Sequence, residues 1–272
     1  LCKAKLAFSS RAISCAKCGE RFPQRSGAGI DLLPERALER DESDWKERQA
    51  EMEDWYRDLS DDAAWAASCF ANDYDPHAPL LATMSGQILD LGGGNGVVRH
   101  YLPDEARYVS LDPSLDWLGA EWAVLADDFP CLQTPPPFVR GVGEYLPFPA
   151  QTFDAVLAFW SLNHVSRPDR VFREVHRVLK PGGRFLAVLE DMEPTWRDVL
   201  RRAFRRPGAR RVAATAGKKL RCLLPTQQWP VQEDHLRLRE SDLKRWSAGR
   251  FETRRRVWVD QYLTYVFQKP DS

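Results

Sequence analysis

From residue 87 onward, short apolar or β-branched runs alternate with stretches of helical period. The runs read QILDLG, RYVSLD, PFVRG, FDAVLAFW and GRFLAVLE. Before the last run, residues 167–183 place four apolar side chains on one helical stripe, and a Pro-Gly-Gly sequence ends the helix. The stripe consists of Val171, Phe172, Val175 and Val178. Strands that alternate with helices predict an α/β fold, a doubly wound parallel sheet with both faces covered.

Two further segments flank this alternation. Residues 252–269 form two strand patterns that turn near Asp260-Gln261, too close together for a helical crossover, so we expect an antiparallel hairpin. Residues 37–70 contain few helix breakers and carry apolar side chains at helical spacings, which predicts one or two amphipathic helices. These helices either pack on the main domain or form a lid over a ligand site.

Charge and composition exclude some classes of protein. The 272 residues include 39 basic and 39 acidic side chains, with a mean hydropathy of −0.48. No apolar run approaches the ~18 residues of a membrane helix, and overall charge offers no attraction for nucleic acid or a lipid surface. One local patch, Arg197–Arg221, holds ten bases and one acid. It is either a solvated helix face or a surface for RNA or an acidic small molecule.

The six cysteines are too few for a disulfide scaffold of this length, so we expect a reducing, cytoplasmic compartment and no membrane partner. Cys15 and Cys18 form a C-x-x-C pair with Phe22 four positions on, and Cys2 stands at the same offset from Leu6. This pattern predicts a zinc ribbon with metal ligands Cys2, Cys15 and Cys18 and a fourth cysteine before Leu1, as in a truncated chain. The alternative is three reduced thiols.

The segment Ile88–Gly96 predicts a strand that runs directly into a glycine-rich turn, where the backbone can approach a ligand closely. The dinucleotide fingerprint G-x-G-x-x-G requires glycine at position 97, where Val97 stands, so NAD is disfavoured. Asp90 ends the strand, and it would repel a pyrophosphate but attract a cation. A plain tight turn is the alternative.

Asp112 follows the next apolar run and is placed to accept both hydroxyls of a ribose. Together with the glycine turn and Asp90, it indicates a nucleoside that carries a positive charge and no phosphate.

At this point the sequence resembles the class I S-adenosylmethionine-dependent methyltransferases, in the branch that includes the ubiquinone and menaquinone methylases. The matching segments are ILDLGGGNG (88–96), YVSLDPS (108–114), GEYLPFPAQTFDAVLAFWSLNHV (143–165) and REVHRVLKPGGRFLAV (173–188). The resemblance implies a Rossmann-like, seven-stranded doubly wound sheet that ends in an antiparallel hairpin. It also implies S-adenosylmethionine as the cofactor.

The resemblance assigns cofactor contacts residue by residue. The turn would lie against the methionine part, with Asp90 near its amino group, and Asp112 with Pro113 would hold the ribose. The tripeptide Gly143-Glu144-Tyr145 would flank the adenine, although the chain has Val142 where the family often has aspartate. Phe159 and Trp160, with Ser161, would line the cofactor side of the substrate pocket. The turn residues meant are Gly92, Gly93, Gly94, Asn95 and Gly96.

Methyl transfer is accelerated by alignment of nucleophile and methyl carbon, so a general base is optional. If a base acts, the candidates are His164 and also His235. The tip of the fourth strand reads Phe-Trp-Ser-Leu and lacks the Asn-Pro-Pro-aromatic sequence of the amino-methylating enzymes. Residues 191–243 interrupt the strand pattern as a cap, which makes Trp196, Trp229 and His235 candidates for acceptor recognition.

These inferences predict three regions: a zinc-ribbon-like segment (1–34), an acidic helical lid (35–79) and a methyltransferase domain (80–272). The predicted function is methyl transfer to an O, N or C atom of a small molecule. A zinc ribbon also precedes the ribosomal RNA guanine-N1 methyltransferases, so RNA methylation through Arg197–Arg221 is the first alternative. A cofactor-binding regulator without turnover is the second. The sequence leaves the oligomeric state open.

Overall fold

A computed structural model describes most of the chain. It covers residues 6–8, 12–15, 21–23, 29–34, 49–50, 52–54, 59, 61–204, 209–233 and 235–271.

The strands form two sheets. In the small sheet, β1 (Leu6–Phe8), β2 (Ala12–Cys15) and β3 (Arg21–Pro23) pair antiparallel in chain order. The main sheet has eight strands. They are β4 (Ile30–Asp31), β5 (Gln87–Leu91), β6 (Arg107–Asp112), β7 (Phe138–Arg140), β8 (Phe153–Phe159), β9 (Leu179–Leu189), β10 (Glu252–Val259) and β11 (Tyr262–Gln268).

The main sheet has the order β10-β11-β9-β8-β5-β6-β7-β4. The six strands from β9 to β4 are parallel, while β11 runs antiparallel to β9 and β10 antiparallel to β11. This confirms the predicted doubly wound sheet and its terminal hairpin. The prediction of seven strands was one short, because residues 30–31 add an eighth beside β7.

The described residues contain six α-helices. They are α1 (Ala63–Tyr74), α2 (Ala78–Leu81), α3 (Pro168–Val178), α4 (Trp196–Phe204), α5 (Ala209–Arg221) and α6 (Glu240–Ser247). Residues 49–50, 52–54 and 59 are helical as well, within the segment that the sequence predicts to be helical. After the glycine turn the chain forms a short 3₁₀ helix, Val97–Tyr101.

Side-chain alternation along β8 shows that both faces of the sheet are buried. Val156 and Ala158 belong to the apolar core beneath α3, whereas Ala155, Leu157 and Phe159 belong to the core beneath α1. The predicted stripe of α3 is fully buried in the first of these cores. The carboxyl ends of β5, β6, β8 and β9 therefore meet at one well-supported edge, where ligands bind in open α/β sheets.

The zinc-ribbon prediction finds no support in the part of the chain that the structure describes. Cys2 and Cys18 lie outside the described residues, and of Cys15 only the backbone, at the end of β2, is described. Among the described residues, no helix has the length and apolar character needed to cross a membrane.

Candidate cofactor and acceptor site

Two carboxylates lie at the carboxyl end of neighbouring parallel strands. Asp90 is the penultimate residue of β5, where it pairs in register with Ser110, and Asp112 ends β6. Both side chains are almost fully buried, with residue exposures of 2% for Asp90 and 4% for Asp112. The structure thus brings together the two acids that the sequence predicted for one ligand.

The glycine turn lies closely against β6. Gly92 donates its backbone N–H to the carbonyl oxygen of Leu111 at 2.8 Å, and its φ is +68°. A Cβ on Gly93 would lie 2.7 Å from both the Tyr108 hydroxyl and Ser110 Oγ, and a Cβ on Gly92 2.6 Å from Ser161 Cβ. Side chains would therefore displace the turn, and glycine keeps its backbone within reach of a ligand.

Only one of the two carboxylate oxygens of Asp90 is hydrogen-bonded. Its Oδ2 accepts a hydrogen bond from the Tyr108 hydroxyl at 2.8 Å. Its Oδ1 is buried and has no hydrogen-bond partner among the described residues. Burial raises the pKa of Asp90 to about 7, although the bond from Tyr108 opposes the rise. Such a carboxylate is set to receive a cationic donor.

Asp112 supports the turn through both oxygens. Oδ1 accepts the N–H of Ser114 at 2.9 Å, and Oδ2 accepts the N–H of Gly94 at 3.2 Å. Burial raises the pKa of Asp112 to about 7, and the negative charges of Asp90 and Glu53 add to the rise. Residue 53 thus lies close enough for its charge to act on Asp112, and the acidic lid stays a prediction.

The residues around the turn fit the cofactor that the resemblance implies. Four polar atoms here are buried and without a hydrogen-bond partner among the described residues: Asp90 Oδ1, Asn95 Nδ2, Trp160 Nε1 and Ser161 Oγ. An ionised acid beside polar donors matches a ligand with an ammonium group and several polar acceptors.

The predicted adenine contacts have structural partners of their own. Glu144 Oε1 accepts the backbone N–H groups of Ser166 at 2.9 Å and Arg167 at 3.2 Å, just before α3. The Tyr145 hydroxyl accepts a hydrogen bond from Arg170, whose guanidinium lies 5.5 Å from the ring centroid. These contacts anchor α3, so a role of residues 143–145 toward adenine stays a prediction.

Aromatic side chains from three elements surround the end of β8. Trp160, with a left-handed φ of +57°, lies with its ring centroid 5.3 Å from Phe159, 5.1 Å from Tyr74 and 5.3 Å from Tyr262. We call these four residues the aromatic cluster. Phe159 and Trp160 were predicted at this position. Tyr74 comes from α1 and Tyr262 from β11, and no spacing in the sequence predicts that they lie here.

The two candidate bases meet although 71 positions separate them in the chain. The rings of His164 and His235 are perpendicular, with centroids 4.5 Å apart. Glu190, which the sequence analysis missed, lies beside both imidazoles. The two histidines are therefore parts of one polar cluster.

The cap contains an open cleft with a volume of about 380 Å³ that Trp229 and Arg237 help to line. Trp196 does not line this cleft, and it is 40% exposed at the start of α4. Arg197, Arg201 and Arg221 are exposed, as expected for a basic helical surface.

An ion-pair network joins the base of the cap to the terminal hairpin. Arg256 on β10 donates two hydrogen bonds of 2.7 Å to the two carboxylate oxygens of Asp198 and one of 2.5 Å to Glu240. Tyr265 on β11 also donates to Glu240. Although burial alone would raise it, these bonds from Arg256, with those from Thr195, lower the pKa of Asp198 below its ordinary value.

Comparison with known proteins finds similarity to methyltransferases. Residues 89–187 match a family model described as a methyltransferase domain. The ubiquinone/menaquinone biosynthesis C-methyltransferase UbiE of Rubrivivax gelatinosus is 32% identical over 128 residues, which cover 43% of this chain and 44% of the relative. The demethylmenaquinone methyltransferase of Streptomyces griseus is 34% identical over 163 residues, covering 57% of this chain and 66% of the relative.

The match to UbiE thus spans under half the length of that relative. Among solved structures, a chain of the complex between the Haloferax volcanii Trm112 methyltransferase activator and a methyltransferase aligns with a TM-score of 0.50 and 16% identity. It covers 78% of this chain and 97% of that chain, and at this identity it shows the fold alone. The family match and the sequence relatives thus show that residues 89–187 are similar to methyltransferase domains.

Proposed function

We propose that the protein transfers a methyl group from S-adenosylmethionine to an aromatic small molecule, with the ring of a quinol as the acceptor class. The observation that carries the proposal is Asp90: a buried carboxylate beside a glycine turn, with one oxygen bonded to Tyr108 and the other without a partner among the described residues.

In this proposal the chain's own residues bind and align the reactants. Asp90 binds the ammonium group of the cofactor, and Asp112, fixed by two backbone N–H groups, accepts the ribose hydroxyls. When bound, the cofactor supplies a methyl group on a sulfonium sulfur, which a nucleophile can accept while the thioether leaves. The glycine turn brings the backbone close enough to hold this ligand, and alignment supplies most of the acceleration.

The aromatic cluster supports an aromatic acceptor. Its rings offer flat apolar walls beside the proposed cofactor site, and stacked or edge-to-face contacts with a further ring are favourable. The indole N–H of Trp160 is buried without a partner among the described residues, so it is available to an acceptor oxygen. A quinol has both features, and the relatives are named for ubiquinone and menaquinone biosynthesis.

Calorimetry with S-adenosylhomocysteine tests the cofactor part. Asp90→Asn keeps an acceptor for Tyr108 but removes the charge, so we expect affinity to fall by at least about 10-fold, as for the loss of a hydrogen bond to a charged group. Asp104→Asn removes an exposed acid from a surface turn and serves as the matched control, with unchanged affinity. Equal affinity in the two variants, or no binding by the wild type, would contradict the proposal.

Transfer of a labelled methyl group tests the acceptor part. Reduced demethylmenaquinone and a ribosomal RNA transcript are each incubated with the protein and methyl-labelled S-adenosylmethionine. Label in the quinol supports the proposal. Label in the RNA alone would overturn the small-molecule assignment, and cofactor binding without label in any acceptor of an extract would favour a regulator.

A further inference from the structure

Three segments that are distant in the chain bring two imidazoles and a carboxylate together beside the aromatic cluster. His164 follows the 3₁₀ turn Ser161–Asn163, Glu190 follows β9, and His235 belongs to the cap. One ligand atom from each residue lies within 4.8 Å of the others. Neither the cofactor contacts nor the aromatic cluster account for this grouping.

The distances within this group suit a shared metal ion better than direct hydrogen bonds. Glu190 Oε1 lies 3.4 Å from His235 Nε2 and 3.8 Å from His164 Nε2. Both separations exceed the usual hydrogen-bond range of about 2.7–3.2 Å. Two atoms bound tetrahedrally to one zinc ion lie about 3.3–3.6 Å apart, because each bond is about 2.0–2.2 Å long. The pair Glu190–His235 already has this spacing, and the pair Glu190–His164 needs a shift of a few tenths of an ångström. The third pair, between the ligand atoms of the two histidines, lies within 4.8 Å.

A second carboxylate orients one imidazole. Asp191 Oδ2 lies 2.9 Å from Nδ1 of His235 and also accepts the backbone N–H of Gln232 at 2.8 Å. If Nδ1 carries the proton for this bond, Nε2 keeps its lone pair toward Glu190, the arrangement that metal-binding histidines adopt. Asp191 itself has a φ of +52°, an uncommon conformation for a residue other than glycine.

Asn163 connects the three segments through its side chain and its backbone. The side-chain amide of Asn163 donates to the carbonyl oxygen of Glu190 at 3.1 Å, and the carbonyl oxygen of Asn163 accepts the N–H of Leu236 at 2.7 Å. Each of these groups belongs to a candidate ligand or to its immediate neighbour. The ligand positions are therefore preorganised rather than assembled from flexible side chains.

Charge also favours a cation at this position. Glu190 and Asp191 both converge on the histidines, and Glu190 is near enough to Asp73 and Tyr262 for its charge to contribute to their raised pKa values. Tyr262 belongs to the aromatic cluster, so the group borders the proposed acceptor pocket. A divalent ion would balance the two carboxylates.

We propose that His164 Nε2, Glu190 Oε1 and His235 Nε2 bind one zinc ion, with the fourth tetrahedral position available to an oxygen of the acceptor. Two imidazoles, one carboxylate and one open position form a donor set typical of catalytic zinc sites. The bound ion lowers the pKa of a hydroxyl that coordinates it, which would favour the oxyanion of the acceptor. Coordination of the acceptor to the zinc ion rests on the proposed function, whereas zinc binding itself does not.

The test measures zinc in the full chain with Cys2→Ser, Cys15→Ser and Cys18→Ser, so that the amino-terminal cysteines cannot account for the metal. We expect about one zinc ion per chain by elemental analysis after exchange into metal-free buffer. Added zinc should raise the unfolding temperature of metal-stripped protein by roughly 5 °C at 100-fold excess over Kd. His235→Ala and Glu190→Gln should lose both effects.

Matched variants separate metal binding from folding. His100→Ala and Glu193→Gln remove an exposed histidine and an exposed acid elsewhere and should bind zinc as before. His164→Ala is the second ligand variant, in case His235→Ala does not fold. Asp191→Asn keeps the hydrogen-bond acceptor but not its charge, and should weaken zinc binding about 10-fold, as expected for the partner of a ligand.

The result that overturns the proposal is equal zinc content in the ligand variants and the cysteine-free parent, or no zinc in the parent even when zinc is added. Calorimetry with S-adenosylhomocysteine is run on the same samples. Zinc binding without cofactor binding would refute the proposed function but not the zinc site, and the reverse result would refute only the zinc site.

Discussion

Two regions of the protein bury carboxylates to nearly the same degree and treat them in opposite ways. At the glycine turn, Asp90 is 2% exposed and its pKa rises to about 7; at the base of the cap, Asp198 is 4% exposed and its pKa falls below the ordinary value. The difference is a counter-charge. Arg256 donates a hydrogen bond to each carboxylate oxygen of Asp198, whereas Asp90 accepts one hydrogen bond from a neutral hydroxyl.

The comparison shows that burial alone does not identify a functional acid. A buried acid with a bidentate arginine has its solvation replaced by the protein and acts as a structural tie. A buried acid without such a partner is costly to ionise, and a cationic ligand would remove that cost.

The largest effect is expected at the cap. Arg256→Met leaves the buried Asp198 and the half-buried Glu240 without their cation, which should lower the free energy of unfolding by about 3 kcal/mol. Arg254, on the same strand, forms an exposed ion pair with Glu252, so Arg254→Met should cost less than about 1 kcal/mol. Urea unfolding at pH 7 measures both. Similar losses would show that the network is not a structural tie.

A pair of glycines extends the contrast to backbone packing. Gly93→Ala forces a Cβ to within 2.7 Å of the Tyr108 hydroxyl and Ser110 Oγ, which should lower stability by about 2 kcal/mol and weaken binding of S-adenosylhomocysteine. Gly217, on helix α5 of the cap, has nothing within 4 Å of an added Cβ. Gly217→Ala should therefore raise stability by about 0.5–1 kcal/mol. Denaturant unfolding measures the free energy of unfolding of both variants. An unchanged value for Gly93→Ala would mean that the turn is loosely packed.

The smallest effect is a pH dependence of binding. Because the pKa of Asp90 is near 7 when the protein is folded and free of ligand, the fraction ionised rises about 10-fold between pH 6 and 8. Affinity for S-adenosylhomocysteine should rise by up to the same factor, and Asp90→Asn should flatten the profile. Calorimetry in buffers of different ionisation enthalpy measures the proton released.

The sign of the accompanying stability change is fixed by the same shifts. In the ligand-free protein, folded Asp90 and Asp112 hold protons that the unfolded chain has lost above pH 4, so their contribution to stability falls as pH rises toward 7. Asp198 is ionised throughout this range and adds no slope. Stability that rises between pH 5 and 7 in the wild type and equally in Asp90→Asn would contradict the assignment.

Local signals predicted much of the fold and half of the site. Strand runs, the α3 stripe and the hairpin turn at Asp260-Gln261 follow from periodicity and turn chemistry, which act over a few residues. The eighth strand was missed because two residues, Ile30 and Asp31, carry no periodicity. Asp90 and Asp112 were found because each stands at the end of an apolar run.

The features that the sequence did not predict depend on contacts between distant segments. The carboxylate of Glu144 accepts N–H groups 22 and 23 positions later, a contact that only packing determines, and its predicted role at the adenine stays a prediction. Similarly, Glu190 and Asp191 come near His235 through the path of the cap, and Tyr74 meets Trp160 because α1 packs on β8 and β11. No spacing rule links such residues.

Helix α1 and the short turn that follows it are hydrogen-bonded to β11. Tyr262 donates to Asp73 at 2.7 Å and the ring of His77 bonds Thr264 at 3.0 Å, across 189 and 187 positions. During synthesis, therefore, these two hydrogen bonds cannot form until β11 has left the ribosome, although the other partners of α1 in the core are made earlier. The wall of the proposed acceptor pocket that Tyr74 provides, next to Asp73, therefore becomes fixed late in synthesis.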